Sequence, residues 1–399
     1  MRLKSRYFIQ YILCVAFFFM VSCEKDENEP EKVRTLMVYL VGEGDVTISN
    51  HLKNNIKDMA GAWKKGYKGD IVIYYDANGA APQLLTFKIK NGVAEQEILR
   101  TYDDDLNSAD PATLQKVIGD MQSLYPSDSY GIIFGGHASG WLLLSAEARS
   151  IQSDSFWDNP ISRSFADKKF GKGMDIREMA KIIPAEGVDF ILFDACMMSS
   201  VEALYEFRYK TKYIIACPTE TQIQGFPYSD VMSYFWGKGA DLERDLKNVC
   251  ETYYEYYNTY NDKLHFGSIA LINTAELDNL YNLTRQLLCG RASEAAKIGS
   301  SEVICIPWTV NRYDMFFDLR DYVRYMSSDQ SFRNIYDKQL AKVVLYHAFT
   351  ESFYNNPISA DKYCGITTYI PLERYDWRER TAAYWKFPWA GVYGKDATE

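Results

Sequence analysis

The sequence predicts an α/β fold, in which a mostly parallel sheet is flanked by helices on both faces, with a more helical C-terminal subdomain. Short apolar runs of strand length alternate along the chain with segments whose apolar residues recur every three or four positions. These runs are continuously apolar, which is typical of parallel strands that are buried on both faces. From about residue 230 onward the helical period predominates.

Residues 1–22 stand apart from this pattern and predict a signal peptide. Basic residues precede an uninterrupted apolar core of about 10 residues, which is too short to cross a bilayer as a permanent helix. Ser22 and then Cys23 follow, and this pattern resembles a bacterial lipobox, in which Cys23 would be lipidated and become the mature N-terminus. The alternative is an ordinary signal peptide that is cut nearby, with Cys23 incidental.

The next stretch, residues 23–32, is predicted to be an acidic tether. It is polar and strongly acidic, so it cannot bury a core. It also resembles the acidic export signals that follow the lipidated Cys in bacterial surface lipoproteins. We therefore expect an exported protein that is lipid-anchored in the outer membrane, contacts the membrane through its lipid and is exposed at the surface.

Residues 33–230 are predicted to form the core of the fold. Within 83–100, Asn91-Gly92 lies between alternating polar and apolar positions, which predicts a β-hairpin, and Ser108 is the predicted N-cap of a helix. The predicted strands are 35–41, 70–76, 130–134, 188–193 and 213–216. The predicted helices are 48–63, 108–123, 175–183 and 200–209.

Residues 231–399 are predicted to extend the sheet and to form the helical C-terminal subdomain. The amphipathic segments 242–257, 276–289 and 338–353 predict helices. The apolar runs 267–272 and 366–370 predict two further strands.

Composition limits the classes of partner. The net charge is −9, the isoelectric point is about 5.2 and no basic stripe is present, which argues against a nucleic-acid partner. The six Cys beyond residue 23 are widely and irregularly spaced, with no C-x-x-C pair. This spacing predicts neither a metal site nor a disulfide scaffold, and we expect mostly buried single thiols.

One of the four histidines stands at the end of a predicted strand. His137 follows Gly135-Gly136, so the backbone there turns tightly around one ionisable ring. His51 lies in a polar segment before a helix, His265 precedes a strand with no Cys or carboxylate cluster nearby, and His347 is in the middle of a predicted helix. Surface or structural roles are expected for these three.

Cys196 also follows a predicted strand directly. Ligands of open α/β sheets bind beyond the carboxyl ends of the strands, where both His137 and Cys196 are predicted to lie. The amide dipoles of a following helix would favour a thiolate, and a thiol beside an imidazole is an activated nucleophile with its general base or acid. The alternative is that Cys196 is a buried core residue.

Two sequence blocks carry a resemblance to a known family. They are Gly-Gly-His137-Ala-Ser-Gly-Trp141 and Phe193-Asp194-Ala195-Cys196-Met197-Met198. Together with the alternating strands from residue 35, these blocks resemble the clostripain family of the caspase, gingipain and legumain group of cysteine peptidases. A His about 50 residues before Ala-Cys is also the order found in caspases. The resemblance spans most of the mature chain and implies a caspase-like sheet with the catalytic core in 33–230.

The resemblance implies a cysteine endopeptidase that acts on protein or peptide substrates. Cys196 would attack the scissile carbonyl, and His137 would protonate the leaving amine. The backbone N–H of Cys196 and one beside His137, at Gly136 or Ala138, would form the oxyanion hole. No third member of a triad is identifiable in the sequence, members of the family work without one, and the sequence requires no cofactor.

The resemblance also implies a specificity. The family has an acidic residue at the position of Asp194, at the base of the S1 pocket, where a buried carboxylate selects Arg or Lys. The alternative is that Asp194 caps the following backbone. Glu220 is the second acidic candidate, but residues 221–225 depart from the family pattern, which leaves a neutral residue at the cleavage site as an alternative.

Two further properties of relatives have counterparts in this sequence. Relatives made as zymogens are cut between the two blocks, which corresponds to loop 146–173, with Arg149 as the first candidate for self-cleavage. Some relatives need calcium, which the acids Asp103-Asp104-Asp105 would bind, although no calcium loop is present and a solvated turn is the alternative.

Two rival predictions remain at the level of sequence. The 31 Tyr, 21 Phe and 8 Trp would suit a surface lipoprotein that binds glycans or peptides without catalysis. A second rival is a caspase-like protein that has kept the scaffold and lost its activity. The presence of both the His137 block and the Cys196 block favours the peptidase.

Overall fold

The computed structural model describes most of the chain from Lys32 to Gly394. The described residues are 32–64, 66–142, 165–167, 172–259, 266–299, 301–306, 315–353, 356–357, 359–372 and 378–394. The predicted signal peptide, the tether up to residue 31 with Cys23, and the side chains of Arg149 and His265 lie outside the described residues. So does most of loop 146–173.

The described part of the chain alternates strands and helices. The strands are β1 (Arg34–Val41), β2 (Gly69–Asp76), β3 (Gln83–Lys90), β4 (Val93–Thr101), β5 (Tyr130–Ala138), β6 (Phe165–Asp167), β7 (Lys172–Met174), β8 (Val188–Asp194), β9 (Tyr213–Ala216), β10 (Ser268–Asn273), β11 (Phe317–Asp318), β12 (Val344–Phe349), β13 (Ser352–Phe353), β14 (Asn356–Pro357) and β15 (Thr367–Thr368). The helices are α1 (Val46–Ala62), α2 (Pro111–Leu124), α3 (Ile176–Ile182), α4 (Val201–Glu206), α5 (Tyr228–Val231), α6 (Ala240–Thr259), α7 (Leu277–Leu288), α8 (Ala292–Ala295), α9 (Leu319–Met326), α10 (Gln330–Val343) and α11 (Arg378–Tyr384).

The main sheet confirms the predicted α/β fold. Its spatial order is β12-β10-β9-β8-β5-β1-β2-β3-β4, and β6 and β7 extend it from the end of β5. The central strands β9, β8, β5, β1 and β2 are parallel, whereas β10, β12, β3 and β4 are antiparallel to their neighbours. At the β3–β4 turn, Asn91 and Gly92 have φ of 52° and 81°, as a two-residue hairpin with a type I′ turn requires.

Helices cover both faces of this sheet. Every residue of β1 is buried, with Met37 and Tyr39 in the core on one face and Leu36, Val38 and Leu40 in the core on the other. Helices α1 and α6 pack on the second face, and α2, α3, α4, α7, α9 and α10 on the first. Burial on both faces is the physical reason for the continuous apolar runs in the sequence.

The structure corrects the predicted helix 338–353. Helix α10 ends at Val343, and Val344–Phe349 forms the edge strand β12, which pairs antiparallel with β10. His347 therefore lies in a strand, and it is exposed. This segment forms a strand despite its helical spacing for two reasons. Its β-branched and aromatic residues favour a strand, and its backbone pairs with N–H and C=O groups of β10 that would otherwise lack partners.

Three smaller expectations are also wrong. The N-cap of α2 is Asp110, which accepts a hydrogen bond from the N–H of Ala112, whereas Ser108 is buried and donates to Asp76 at 2.5 Å. His51 lies inside α1 and not before it. The predicted strand 366–370 is reduced to β15, which pairs with β11 outside the main sheet.

A buried carboxylate joins α4 to the C-terminal segment. The Oε1 atom of Glu202 accepts hydrogen bonds from the backbone N–H of Tyr369 at 2.8 Å and from the hydroxyl of Thr368 at 2.9 Å. Among the described residues, Oε2 has no hydrogen-bond partner. Because water is excluded and the neutral carboxyl is favoured, burial raises the pKa of Glu202 to about 7.

We expect Glu202→Gln to stabilise the protein at pH 8 much more than at pH 4.5. The folded state holds this proton more tightly than the unfolded chain, so the wild-type protein loses roughly 3 kcal/mol of unfolding free energy between about pH 4.5 and 7. Gln keeps an acceptor for Tyr369 and Thr368 and carries no charge, so the variant escapes this loss. Urea unfolding at the two pH values measures the difference, with the exposed Glu186→Gln as control. If the difference in unfolding free energy between Glu202→Gln and the wild type is the same at both pH values, the pKa of Glu202 is not raised by burial.

Candidate functional site

The two sequence blocks meet at the carboxyl ends of neighbouring parallel strands. Gly135 of β5 lies opposite Asp194 of β8, so His137 and Cys196 each follow two residues beyond this pair. Gly140 has a φ of +61°, and a Cβ on it would lie 2.5 Å from the carbonyl oxygen of Met197. The loop after His137 therefore packs directly against the turn after Cys196.

A second glycine fixes the approach to His137. Gly136 has a φ of +144°, and a Cβ there would lie 2.7 Å from the carbonyl oxygen of Val41 in β1. Only glycine allows this backbone conformation and this close contact without strain. Beyond it, His137 and Ala138 pair with Ala166 and Phe165 of β6, so the end of loop 146–173 returns to the edge of the site.

The imidazole of His137 is held by a carboxylate from a neighbouring element. Its Nε2 atom lies 3.0 Å from Oδ2 of Asp45. Asp45 follows β1 and is the N-cap of α1, where its Oδ1 accepts hydrogen bonds from the backbone N–H groups of Thr47 and Ile48. The motifs did not reveal Asp45, although an Asp that caps a helix just after a parallel strand is a recognisable signal.

Cys196 lies in a turn between β8 and α4. Its Sγ atom accepts a hydrogen bond from the backbone N–H of Thr221 at 3.3 Å and lies 3.4 Å from the Thr221 hydroxyl. In the described part of the chain, Sγ makes no hydrogen bond to His137, and the backbone N–H of Cys196 donates to no acceptor.

The thiol of Cys196 is neutral in this arrangement. Burial raises its pKa to about 11, the negative charge of Glu220 adds to the increase, and the hydrogen bonds from Thr221 offset part of it. The expected contribution of a helix dipole is not found, because α4 begins only at Val201, beyond the turn that holds Cys196. A base is therefore needed to generate the thiolate.

Two carboxylates lie next to this thiol. Asp194 is 6% exposed, and its Oδ2 accepts hydrogen bonds from the Tyr228 hydroxyl at 3.0 Å and the Phe226 N–H at 3.3 Å. Oδ1 has no partner among the described residues, and burial raises the pKa of Asp194 to about 6. Glu220 is also buried and lies beside Thr221, close enough to raise the pKa of Cys196. Tyr228 and Thr221 are contacts that the motifs did not predict.

None of the remaining cysteines in the described residues forms a disulfide bond. Cys217, Cys250 and Cys364 are buried, whereas Cys305 is partly buried and Cys289 is exposed. The expectation of single thiols is therefore confirmed for these residues.

No cluster of three or more His, Cys, Asp or Glu side chains arranged to hold a metal ion occurs among the described residues. The acids Asp103-Asp104-Asp105 are exposed in the turn after β4 and provide no such cluster. In the same part of the chain, every helix is too short or too polar to cross a membrane.

Comparison with known proteins identifies relatives of this chain. Clostripain of Hathewaya histolytica is 25% identical over 258 residues, which are 57% of this chain and 46% of that protein, so the chain spans about half of the length of this curated relative. The structure of an inactive zymogen C11 protease from Parabacteroides distasonis superimposes with a TM-score of 0.77 at 27% identity and covers 92% of this chain and 99% of its own.

A second solved structure extends the comparison to an inhibited enzyme. A secreted C11 cysteine protease from Bacteroides thetaiotaomicron, in complex with an irreversible peptide inhibitor, has a TM-score of 0.72 at 25% identity and covers 90% of this chain and 98% of its own. The family model of the clostripain family, peptidase C11, matches residues 38–389, which include both sequence blocks, the second half of β1 and nearly all of the main sheet. The chain therefore belongs to the clostripain family of cysteine peptidases.

Proposed function

We propose that this chain is a cysteine endopeptidase that hydrolyses peptide bonds through Cys196 and His137. The observation that carries the proposal is the meeting of the two blocks at one sheet edge, where the loop after His137 contacts the turn after Cys196 through Gly140 and Met197. Open α/β sheets bind their ligands at this edge. The relative that was solved with an irreversible peptide inhibitor supports a peptide as the ligand.

The chemistry begins with removal of the thiol proton of Cys196. Since burial keeps this thiol neutral, the imidazole of His137 accepts its proton as sulfur attacks the scissile carbonyl carbon. The imidazolium then protonates the leaving amine, the C–N bond breaks, and an acyl-enzyme remains on Cys196. Water hydrolyses this thioester and restores the thiol.

The oxyanion hole is proposed to use backbone donors on both blocks. The N–H of Cys196 is the first, because it makes no hydrogen bond to any described residue and adjoins the nucleophile. The second lies beside His137, at Gly136 or Ala138. Two such donors stabilise the negative oxygen of the tetrahedral intermediate more than the neutral carbonyl of the substrate.

The preference is proposed to be for Arg or Lys before the scissile bond. Asp194 supports this preference, because its Oδ1 is unpaired among the described residues while Tyr228 and Phe226 hold its Oδ2 in place. Glu220 adds a second negative charge near Cys196. A cationic side chain between these two carboxylates would be attracted by both.

Activation and export are proposed from the sequence together with the relatives. Self-cleavage in loop 146–173, first at Arg149, is supported by a relative that was solved as an inactive zymogen. Export with a lipid on Cys23 is supported by the lipobox-like sequence, and a relative of this chain is secreted. Mass spectrometry of the mature N-terminus tests the anchor, since an unmodified Cys23 would exclude lipidation.

Covalent labelling tests the proposed function. The full-length chain is treated with a peptidyl acyloxymethyl ketone that ends in Lys, and the labelled peptide is identified by mass spectrometry. We expect one adduct, on Cys196, and much less labelling by the matched reagent that ends in Asp. Labelling only at the exposed Cys289, or equal labelling by both reagents, would contradict the proposal.

A further inference from the structure

The two carboxylate oxygens of Asp45 contact two different parts of the molecule, the first turn of α1 and the side chain of His137. Oδ1 accepts hydrogen bonds from Thr47 N–H at 3.0 Å and from Ile48 N–H at 3.1 Å, which fixes the side chain as the N-cap of α1. Oδ2 lies 3.0 Å from Nε2 of His137. The helix cap therefore determines where the second oxygen points, and it points at the imidazole.

This contact determines which nitrogen of His137 can take a proton. An ionised carboxylate only accepts hydrogen bonds, so the neutral imidazole must carry its proton on Nε2 to satisfy Asp45. The lone pair is then on Nδ1. A thiol can give its proton only to a nitrogen with a free lone pair, and Nδ1 is the nitrogen that Asp45 leaves available.

We propose that Asp45 is a positioning residue of the peptidase, which fixes the tautomer and the orientation of His137 through α1. This inference rests on the proposed role of His137 as the base. In the first step the S–H bond of Cys196 breaks and an Nδ1–H bond forms; in the second this proton passes to the leaving amine as its C–N bond breaks. Asp45 stays ionised throughout and stabilises the intermediate imidazolium, as the carboxylate of a catalytic triad does.

The variant Asp45→Asn separates this role from helix capping. Asn caps helices as well as Asp, so its oxygen can keep the bonds to Thr47 and Ile48. Its NH₂ group then replaces Oδ2 and donates to Nε2, which drives the imidazole proton to Nδ1. We expect kcat to fall by about 10²–10⁴-fold, as wrong-tautomer variants of catalytic triads do, with KM nearly unchanged.

The variant Asp45→Ser gives the diagnostic comparison. Ser also caps α1 but is too short to reach His137, so the imidazole is free to adopt either tautomer. We expect a loss of only about 10-fold, in line with losing one orienting partner and keeping the base. Asn should thus be worse than Ser, whereas a purely structural role would make Asn the milder change. Asp329→Asn, the same substitution at the N-cap of α10, is the matched control and should retain full activity.

A spectroscopic readout does not depend on activity. We expect the ¹⁵N spectrum of the ring nitrogens to show the Nε2–H tautomer of His137 in the Cys196→Ala chain and the Nδ1–H tautomer when Asp45→Asn is added. The signal of His137 is assigned by its loss in His137→Gln. An Nδ1–H tautomer with Asp45 intact, or wild-type kcat in Asp45→Asn, would overturn the inference. Activity that persists in Cys196→Ala would instead refute the proposed function, and the tautomer spectra would still decide the role of Asp45.

Discussion

Cys196→Ala is expected to lower kcat/KM to the background level, a loss on the order of 10⁶-fold, as removal of the nucleophile does in proteases that act by acyl transfer. The structure gives the reason, since Cys196 is the one thiol of the described residues that comes shortly after β5 or β8, the two strands whose carboxyl ends form the candidate site. Of the other free thiols there, Cys217, Cys250 and Cys364 are buried away from water, and Cys289 is exposed. None of them follows β5 or β8.

This variant should fold normally. Sγ of Cys196 contributes two hydrogen-bonding contacts, both with Thr221, and its removal leaves only a small gap in a partly buried turn. Hydrolysis of fluorogenic peptides ending in Arg or Lys measures the activity, and thermal unfolding verifies the fold. Cys289→Ala is the matched control and should keep wild-type activity. Hydrolysis by folded Cys196→Ala at more than a few per cent of the wild-type rate would refute Cys196 as the nucleophile.

Asp194→Asn is expected to remove most of the preference for Arg and Lys. The kcat/KM for a substrate ending in Arg should fall by about 10²–10³-fold, because a buried charge pair that loses one partner typically costs a few kcal/mol. A substrate ending in Gln should lose much less. Asn can still accept hydrogen bonds from Tyr228 and Phe226, so the geometry of the pocket is kept.

Lowering the pH should weaken the preference for Arg in the wild-type protein as well. Burial raises the pKa of Asp194 to about 6, so the free carboxyl is ionised above that pH and becomes neutral below it. The ratio of kcat/KM for Arg over Gln substrates should therefore fall as the pH decreases through about 6, and it should not vary in Asp194→Asn.

Asp194→Asn should not destabilise the protein at neutral pH. A raised pKa means that ionised Asp194 costs stability above about pH 6, and this cost is absent in Asn. We therefore expect an unchanged or higher melting temperature for Asp194→Asn at pH 8. Glu220→Gln is the companion variant and should reduce the preference for Arg less. Equal losses for the Arg and Gln substrates in Asp194→Asn would show that Asp194 acts through structure and not through charge.

Much of the core could be predicted from the sequence because burial on both faces leaves a local signature. The strands β1, β2, β5, β8 and β9 follow from their continuous apolar runs, and the β3–β4 hairpin follows from Asn91-Gly92. The strand β12 could not be predicted, because its segment also has helical spacing. Pairing with the edge of β10 decides between helix and strand, and this pairing is not visible in the sequence. Ser108 fails as a cap for a similar reason, since its hydroxyl is bound to Asp76, which is distant in sequence.

The sequence by itself determined the α/β fold and placed His137 and Cys196 at strand ends, because apolar periodicity and Gly-rich strand ends are local properties of the chain. Only the tertiary structure decided the neighbours of these two side chains: Asp45 on His137, Thr221 on Cys196, and Tyr228 on Asp194. Each of these contacts joins elements that are 25 or more residues apart in the sequence. The order of strands in the sheet and the packing of α1 bring them together, and residue spacing carries no record of either.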